Sequence, residues 1–357
     1  MVAMTALLDL EAALESSRSG VVAVARDDLG VLELGGADVL SYLHVVSSQH
    51  TADLRPGNAT SALLLSPKGK IEFAFRLAVV EGGALLDTHA AAAHPLAERL
   101  QRFVFRYDVT VRQVAAGSGP GVTGSGAGAS ATAGAAGLTA VGASASAGAA
   151  GLAAVSLLGP GWGAALEPAG LPGPPEGADR ATVAAGLVVH RTPLGVDLVG
   201  RSATGALEAL SRAGVALAPL EAWELARIER GLPRWGDELT DDVLAEEAGL
   251  LGSHVHLDKG CYPGQETVAR VHNLGQVQRR LAGLRFEGGG LPAPRTDLRT
   301  EDGRRAGQVR SVARHPELGP IGLAYVRQVV PTGSRVLAGE SAGTVVDLPF
   351  RPDRPNT

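Results

Sequence analysis

Cysteine is almost absent from this sequence: Cys261 is the one cysteine among 357 residues. A chain with a single cysteine forms no internal disulfide and cannot by itself build a multi-cysteine zinc or iron–sulfur site. We therefore expect a reducing, cytoplasmic environment. Because the thiol has no partner in its own chain, a redox or ligand role for Cys261 requires a second molecule.

An excess of basic residues is also lacking, since 32 Lys and Arg stand against 37 Asp and Glu, for a formal net charge of −5. General nucleic-acid binding needs a basic face that neutralises phosphates, so we do not expect it here. There is no uninterrupted apolar run of about 18 residues, which predicts no transmembrane helix. The opening residues carry acidic groups and no basic stretch, which is not typical of a secretory signal.

Large side chains are missing from residues 117–155, which consist almost entirely of Gly, Ala, Ser and Thr. Such a composition offers too little apolar surface to offset the entropy of ordering, so it predicts a flexible surface insertion. The chain length predicts two or three packed units. We expect an N-terminal extension over 1–20, a main region over 21–275 that the insertion interrupts, a β-barrel over 276–350 and a tail over 351–357.

Hydrophobic spacing predicts both helices and strands along the chain. Residues 21–34 favour two short strands around a turn, and residues 277–347 favour a small antiparallel barrel or sandwich with Gly and Pro turns. The predicted helices cover 38–49, 93–103, 204–213 and 219–230. The other predicted strands cover 61–65 and 71–80, joined as a hairpin, and 109–114, 187–189 and 196–199.

The densest group of reactive side chains lies in residues 258–266, Asp-Lys-Gly-Cys-Tyr-Pro-Gly-Gln-Glu. Pro263 and Glu266 suit the first turn of a helix, which would place Cys261 just before a helix N-terminus and beside Lys259. The helix end and the ammonium would both favour the thiolate. The alternative is a buried, inert cysteine. Whether Cys261 is a nucleophile, a cluster ligand or a packing residue stays open.

The segment Lys259-Gly260-Cys261-Tyr262, followed by Gly264-Gln265-Glu266, resembles the signature of the YgfZ family, the folate-binding relatives of the glycine-cleavage T-protein, an aminomethyltransferase. Further resemblance lies in Ser-Pro-Lys-Gly-Lys-Ile at 66–71, Arg-Ile-Glu-Arg-Gly-Leu-Pro at 227–233 and Glu-Ala-Gly-Leu at 247–250. The resemblance covers nearly the whole chain except its beginning and the predicted insertion.

This resemblance implies an α+β fold of several subdomains, a cloverleaf around a central folate channel, with a small C-terminal antiparallel β-barrel. The implied cofactor is tetrahydrofolate or a one-carbon derivative. Lys259 and Cys261 would be the reactive pair of the motif. Tyr262, Gln265 and Glu266 would contact the folate. The implied partners are the folate and iron–sulfur enzymes or assembly proteins, and we expect a monomer.

In the aminomethyltransferase relatives a Gly-Val-Glu carboxylate grips the pterin, and the matching residues here are Gly195-Val196-Asp197. A carboxylate suits this task because its two oxygens can accept paired N–H donors of the pterin edge. The relatives' tyrosine is replaced by His190. Asp197 is therefore the candidate pterin ligand, and the alternative is an aspartate that caps a turn at a strand end.

The enzymatic relatives also carry an aspartate pair after the turn, where this chain has Phe73 and Ala74. Neither side chain can handle charge at a reacting nitrogen. The resemblance therefore implies a folate-binding accessory protein that supports iron–sulfur cluster assembly or repair, including in enzymes that modify tRNA. A folate-dependent one-carbon transferase and a module that only stores folate are the alternatives.

Two further groups have both a functional and a structural interpretation. Arg227 and Glu229 could form a channel wall that meets the folate tail, but an ion-pair network that anchors the following turn is the interpretation we favour. His254 and His256 alternate on a predicted strand and would share one face. Two histidines without a third ligand do not predict a metal site.

Overall fold

The structure, a computed structural model, describes residues 7–114, 154–177, 179–275 and 277–351. The insertion predicted over 117–155 lies outside the described residues apart from its last two positions. These two positions belong to a strand. No helix within the described ranges combines the length and the apolar character that crossing a bilayer requires.

Helices form where apolar residues recur at helical spacing, and they lie close to the predicted ranges. Their bounds are α1 Leu10–Ser19, α2 Val39–Val46, α3 Ala90–Gln101, α4 Trp162–Leu166, α5 Ala203–Arg212, α6 Leu220–Arg230, α7 Leu251–His254 and α8 Gln265–Leu274. The end of α6 shows the local cause. Gly231 adopts φ 74°, and its N–H bonds to the carbonyls of Arg227 and Ile228, which closes the helix.

The strands fall into two open sheets and one closed barrel. The first strands are β1 Val22–Ala25, β2 Leu29–Gly35, β3 Ala59–Leu65, β4 Ile71–Val80, β5 Gly83–His89 and β6 Thr110–Val114. They are followed by β7 Ala154–Leu158, β8 Ala181–Ala184, β9 Leu187–Thr192, β10 Gly195–Val199 and β11 Ala216–Ala218. The barrel strands are β12 Arg279–Phe286, β13 Asp297–Thr300, β14 Arg305–His315, β15 Gly319–Arg327, β16 Arg335–Ala338 and β17 Ser341–Val346.

The five-stranded sheet has the order β3-β4-β5-β2-β6, and the six-stranded sheet has the order β11-β1-β7-β10-β9-β8. The predicted hairpin is confirmed by the pairing of Ser61 with Arg76 on β3 and β4. β1 and β2 do not pair with each other: β1 joins the six-stranded sheet and β2 the five-stranded one. The turn between them therefore carries the chain from one sheet to the other.

Helices cover the outer faces of the two sheets. α2 and α3 pack Tyr42, Leu43 and Leu96 onto the five-stranded sheet, and α5 packs Ala206 and Leu210 onto the six-stranded sheet. Small apolar clusters join the inner faces of the two sheets. This arrangement leaves the two inner faces opposite one another, and the polar residues of those faces lie between them.

The predicted antiparallel barrel is confirmed as a closed ring in the order β12-β15-β14-β13-β16-β17. Leu284, Phe286, Val309 and Val336 fill its interior. α6 connects the barrel to the sheets, because Leu225 and Ile228 pack against Ile321 and Leu323 of β15. The fold is therefore α+β with a C-terminal barrel, as the sequence predicts.

α1 lies within the stretch that was predicted as an N-terminal extension. Its N-cap Asp9 accepts a hydrogen bond from the Ala12 amide at 2.9 Å. Ala13 and Leu14 are buried, and they pack with the elements around β1 and α6. The helix therefore contributes to the core of the folded body.

Candidate functional site

A cavity of about 920 Å³ lies where the two sheets, the segments around α6 and α7, and the barrel meet. Its walls come from inner-face residues of β4, β5, β9 and β10, from residues 230–235 and 246–250, and from Arg280 and Leu281 of β12. No single unit of the fold encloses this space. The cavity therefore exists only when sheets and barrel are assembled.

Two rows of paired polar residues face each other at the inner end of the cavity. On the six-stranded sheet, Asp197 is the cross-strand partner of both Ser156 and His190. On the five-stranded sheet, Arg76 is the cross-strand partner of Asp87. Arg76 Nη2 lies 2.7 Å from Asp87 Oδ2 and 2.7 Å from Asp197 Oδ2, so one guanidinium joins the two sheets.

Asp197 is a buried carboxylate that already has partners. Burial alone would raise its pKa, but the charges of Arg76 and Arg26 and the hydrogen bond from Ser156 lower the pKa to about 2. Ser156 Oγ donates to Oδ1 at 2.6 Å, and Arg76 contacts Oδ2. Both oxygens therefore serve contacts within the protein.

His190 is a cavity-lining residue with a buried ring nitrogen that makes no hydrogen bond within the described ranges. It is 5% exposed, and its Nε2 has no hydrogen-bond partner among the residues that the structure describes. Burial, and then the charge of Arg76, lower the pKa of His190 to about 4. Burial and Arg76 also lower the pKa of His254, another lining residue, to about 4. Both imidazoles are therefore neutral at neutral pH.

Aromatic rings flank this polar centre. The Arg26 guanidinium lies 3.5 Å from the centroid of the Trp223 ring and donates to Asp28 at 2.7 and 2.9 Å. The Trp235 ring stacks with Phe73 at 6.0 Å between centroids. Trp223 and Trp235 both line the cavity, so it offers flat apolar faces beside hydrogen-bonding groups.

Arg227 borders the cavity but is engaged in an ion-pair network. It is 1% exposed; it contacts Glu224, and it donates to Glu238 at 3.0 Å, to Ser311 at 2.8 Å and to the Leu232 carbonyl at 2.9 Å. These contacts anchor the turn after α6 and connect it to the barrel. They match the structural interpretation of Arg227 that the sequence favoured.

Glu229 lies on another face of α6. Its carboxylate is 3.4 Å from His315 Nε2 and 3.3 Å from Arg351 Nε. Burial would raise its pKa, but His315 and Arg351 keep the pKa below the ordinary value for glutamate. Within the part of the chain that the structure describes, Glu229 is not among the residues that line the cavity.

Lys259 holds the chain that follows α2. Its ammonium donates to the carbonyl of His44, to that of Ser47 at 2.6 Å and to that of Gln49 at 3.1 Å. An ammonium has three N–H donors, so all of them are used here. Nζ also lies 4.8 Å from the centroid of the Tyr262 ring. Burial lowers the pKa of Lys259 to about 8.

Cys261 is exposed to solvent. Gln265 places its Nε2 3.7 Å from Cys261 Sγ and accepts the Tyr262 amide hydrogen on Oε1 at 3.2 Å. α8 begins at Gln265 with Gly264 as its N-cap, so Pro263 precedes the helix, whereas the sequence placed it in the first turn. The exposed position excludes the alternative of a buried, inert thiol.

The structure separates the predicted site residues into two places. Asp197 and Arg227 border the cavity. Among the described lining residues none belongs to 259–266, so Lys259, Cys261, Tyr262, Gln265 and the exposed Glu266 form a second group at the start of α8. The assignments of these five residues to a reaction or to folate stay predictions.

The turn at 66–69 contacts the segment at the start of α8, so two of the sequence motifs lie against one another. A Cβ added to Gly264 would lie 2.5 Å from the Ser66 carbonyl oxygen, and one added to Gly69 would lie 2.7 Å from Thr267 Cβ. Both glycines have positive φ, of 83° and 73°. The turn at 66–69 and the start of α8 therefore pack backbone to backbone, and only glycine permits this approach.

The histidines proposed to alternate on a strand do not do so. His254 is the last residue of α7, and His256 follows in a loop. The strand prediction was wrong because the apolar spacing of such a short segment does not distinguish one helical turn from a strand. Over the described ranges, no group of three or more His, Cys, Asp or Glu side chains is arranged to hold a metal ion.

Sequence reasoning missed Arg26, Arg76, Asp87 and Trp223. Each is unremarkable in its own segment, and Arg76 meets Asp197 only because two sheets face each other. The one available signal was the pair of charged residues on β4 and β5, which cross-strand register brings opposite each other. A buried ion pair at that position indicates an interior polar site.

Comparison with known proteins shows which proteins this chain resembles. No family model matches it. The solved structure of the glycine cleavage system aminomethyltransferase T from Bartonella henselae superposes with a TM-score of 0.77 and 19% sequence identity, over 98% of this chain and 91% of that one. The fold is therefore that of the aminomethyltransferase T-protein.

Relatives with similar sequences include an aminomethyltransferase and a YgfZ protein. A chloroplastic protein of Arabidopsis thaliana, provisionally named a transferase, is 36% identical over 132 residues, 36% of this chain and 30% of that protein. The aminomethyltransferase of Rubrobacter xylanophilus is 34% identical over 145 residues, 40% of this chain and 38% of that enzyme. The tRNA-modifying protein YgfZ of Edwardsiella ictaluri is 32% identical over 146 residues, 39% of this chain and 44% of that protein.

These matches span less than half the length of each of these relatives. Together with the shared fold, they confirm the predicted resemblance to the YgfZ and aminomethyltransferase proteins. The chain is related to YgfZ and the glycine-cleavage aminomethyltransferases.

Proposed function

We propose that this protein binds a reduced folate in the cavity between its sheets and acts as an accessory protein for iron–sulfur enzymes. The observation that carries the folate part is the cavity itself. Its volume of about 920 Å³ falls within the range of roughly 300–1,000 Å³ that holds small-molecule ligands. It occurs in a chain with the aminomethyltransferase fold and curated relatives of that name.

The lining suits the parts of a folate. Trp223 and Trp235 offer ring faces to a planar pterin. The polar centre offers hydrogen-bonding groups of Asp87 and His190 to the edge of the pterin, with Asp197 holding Arg76 beside them. Guanidinium groups line other parts of the cavity and are suited to the carboxylates of a glutamate tail. They belong to Arg191, Arg230 and Arg280.

The residues that line the cavity support folate binding better than they support an aminomethyl-transfer reaction. Ala74 lines the cavity and Phe73 stacks on Trp235, at the two positions where the resemblance places an aspartate pair in the enzymes. A methyl group and a phenyl ring cannot exchange protons with a reacting amine. We therefore place binding of the folate, and not its turnover by this chain, at the centre of the function.

The iron–sulfur part rests on the motif around Cys261. The motif resembles the YgfZ signature, its thiol is exposed, and the Edwardsiella relative is named a tRNA-modifying protein. An exposed thiol in a reducing cytoplasm is available to a partner protein or cluster. We infer that the partners are iron–sulfur enzymes or their assembly proteins, including enzymes that modify tRNA.

Calorimetric titration with tetrahydrofolate tests the binding. We expect one saturable site in the wild type and binding weakened about tenfold or more in Trp223→Leu, because that ring borders the cavity. Phe105→Leu is the matched control, since Phe105 is an exposed aromatic residue that is not among the described residues lining the cavity. A wild type that gives no saturable binding would contradict the proposal.

An aminomethyltransferase is the second candidate, favoured by curated relatives of that name at 34 to 37% identity. Incubation of the protein with tetrahydrofolate and an aminomethylated carrier protein distinguishes the two functions. We expect no methylene-tetrahydrofolate above the level without protein. Catalytic turnover would establish the transferase in spite of Phe73 and Ala74.

A further inference from the structure

The cavity contains a buried hydrogen-bonding atom with no partner. His190 Nε2 finds none within the described part of the chain, although both His190 and the neighbouring Asp87 are only 5% exposed. Nε2 lies 4.0 Å from Asp87 Oδ1. Arg76 occupies the other oxygen of that carboxylate, Oδ2, from Nε at 2.8 Å and from Nη2 at 2.7 Å.

A separation of 4.0 Å is too long for a direct hydrogen bond. It is short enough for one ligand atom to lie about 2.8 Å from both groups. Buried polar atoms in folded proteins are nearly always satisfied, so an unpartnered one in a cavity wall points to a group that the cavity receives.

The charges around the space between His190 Nε2 and Asp87 Oδ1 restrict which ligand groups can bind there. The imidazole is neutral, because burial and Arg76 lower its pKa to about 4. The carboxylate of Asp87 can only accept hydrogen bonds, and it disfavours an anion at this point. Arg76, in contact with Asp87, disfavours a full cation. A neutral amino group meets these conditions, since one N–H can point to Asp87 Oδ1 and the other to His190 Nε2 when the imidazole carries its proton on Nδ1.

Asp197, the candidate pterin ligand predicted from the sequence, already has protein partners on both of its carboxylate oxygens. Its Oδ1 accepts from Ser156 and its Oδ2 contacts Arg76, which in turn holds Asp87. Asp197 therefore fixes the guanidinium that orients Asp87. It acts on the ligand through other residues.

We propose that His190 Nε2 and Asp87 Oδ1 together bind the exocyclic amino group of a neutral heteroaromatic ring, with Arg76 and Asp197 as positioning residues. The inference rests on the proposed function, because the pterin ring of a reduced folate carries such an amino group. It adds to that function the two side chains that recognise the ring. One of them is the histidine that replaces the relatives' tyrosine.

Paired titrations of the full chain test this assignment. The probes are tetrahydrofolate and its analogue in which a carbonyl oxygen replaces the exocyclic amino group. The wild type should bind tetrahydrofolate at least about tenfold more tightly, since a site built for an N–H donor rejects an acceptor. His190→Phe should bind tetrahydrofolate more weakly and lose this preference. Val183→Ala, at an exposed position on β8, should keep it.

Equal binding of the two probes by the wild type would overturn the inference while leaving the folate function intact. A His190→Phe variant that keeps the full preference would do the same. Absence of tetrahydrofolate binding in the wild type would overturn the proposed function and the inference together. The comparison of probes on the wild type requires no substitution, so a variant that fails to fold does not prevent the test.

Discussion

At the scale of single residues, burial and neighbouring charges shift the pKa values of several side chains that line the cavity. Asp197 stays ionised because Arg76 and Arg26 counter the effect of its burial, and its pKa falls to about 2. His190 and His254 stay neutral because burial lowers the pKa of each to about 4. Carboxylates paired with guanidiniums and neutral imidazoles therefore coexist around a single cavity, and both arrangements depend on pH.

Stability should fall as the pH is lowered from 7 to 5. The pKa of His190 drops from 6.5 to about 4 on folding. Between pH 6.5 and about pH 4, His190 therefore binds a proton in the unfolded chain but not in the folded chain. Linkage then predicts a loss of about 2 kcal/mol from this residue alone over that interval. Urea unfolding at the two pH values should show a smaller difference for His190→Asn. His94→Asn, at an exposed helical position, should behave as the wild type.

Cys261 should be dispensable for stability and required for function. Because the thiol is exposed, Cys261→Ala should change the free energy of unfolding by no more than about 0.5 kcal/mol. Iodoacetamide should alkylate the native wild type at one site. In a deletion strain under oxidative stress, the variant should fail to restore the activity of iron–sulfur enzymes, whereas Val329→Ala, at another exposed position, should restore it. Full restoration by Cys261→Ala would refute a functional thiol.

At the scale of secondary-structure elements, the start of α8 is held against the turn between β3 and β4. Gly69 and Gly264 meet backbone to backbone. The Lys259 ammonium donates to three carbonyls at and after the end of α2. The cysteine motif therefore joins α2, the β3–β4 turn and α8, and its residue types have structural reasons as well as the functional ones proposed above.

Gly264→Ala should destabilise the protein by about 3 kcal/mol, because a side chain at φ 83° is strained and its Cβ would lie 2.5 Å from the Ser66 carbonyl oxygen. Gly260→Ala is the matched control within the same motif, since a Cβ there meets nothing within 4 Å. Thermal or chemical unfolding measures both. Similar values for the two variants would show that the motif contact contributes little.

Helices, turns and hairpins that depend on local sequence signals could be predicted, whereas the assignment of strands to the two sheets could not. The hairpin of β3 and β4 follows from one Pro-Lys-Gly turn, and the end of α6 follows from Gly231. The chain around 21–34 contains an equally good turn signal, but its two strands enter different sheets. The contact between Arg76 and Asp197 depends on that assembly, so no pattern within either segment could reveal it.

At the scale of the whole molecule, α6 connects the barrel to the cavity. Arg227 is buried on this helix and reaches Ser311 of β14 and the buried carboxylate of Glu238. The barrel residues Arg280 and Leu281 line the cavity next to residues of the two sheets. Barrel and sheets therefore line the cavity together, even though the sequence divides them into separate regions.

Arg227→Met should destabilise the whole protein by about 3–5 kcal/mol, because it leaves Glu238 buried without its counter-charge. It should also weaken tetrahydrofolate binding by separating the barrel wall from α6. Arg285→Met, at an exposed position on β12, is the control and should change neither property. Denaturant unfolding and calorimetric titration measure the two effects. An unchanged unfolding midpoint in Arg227→Met would show that the network does not stabilise the assembly.

The shared guanidinium of Arg76 has a consequence for how a ligand is oriented. The inner end of the cavity holds three carboxylates, of Asp28, Asp87 and Asp197, against the two guanidiniums of Arg26 and Arg76, which leaves one negative charge. A folate has a hydrogen-donating ring at one end and negative carboxylates at the other. We therefore expect the proposed folate to bind with its ring at this pole and its acidic tail directed away from the sheets.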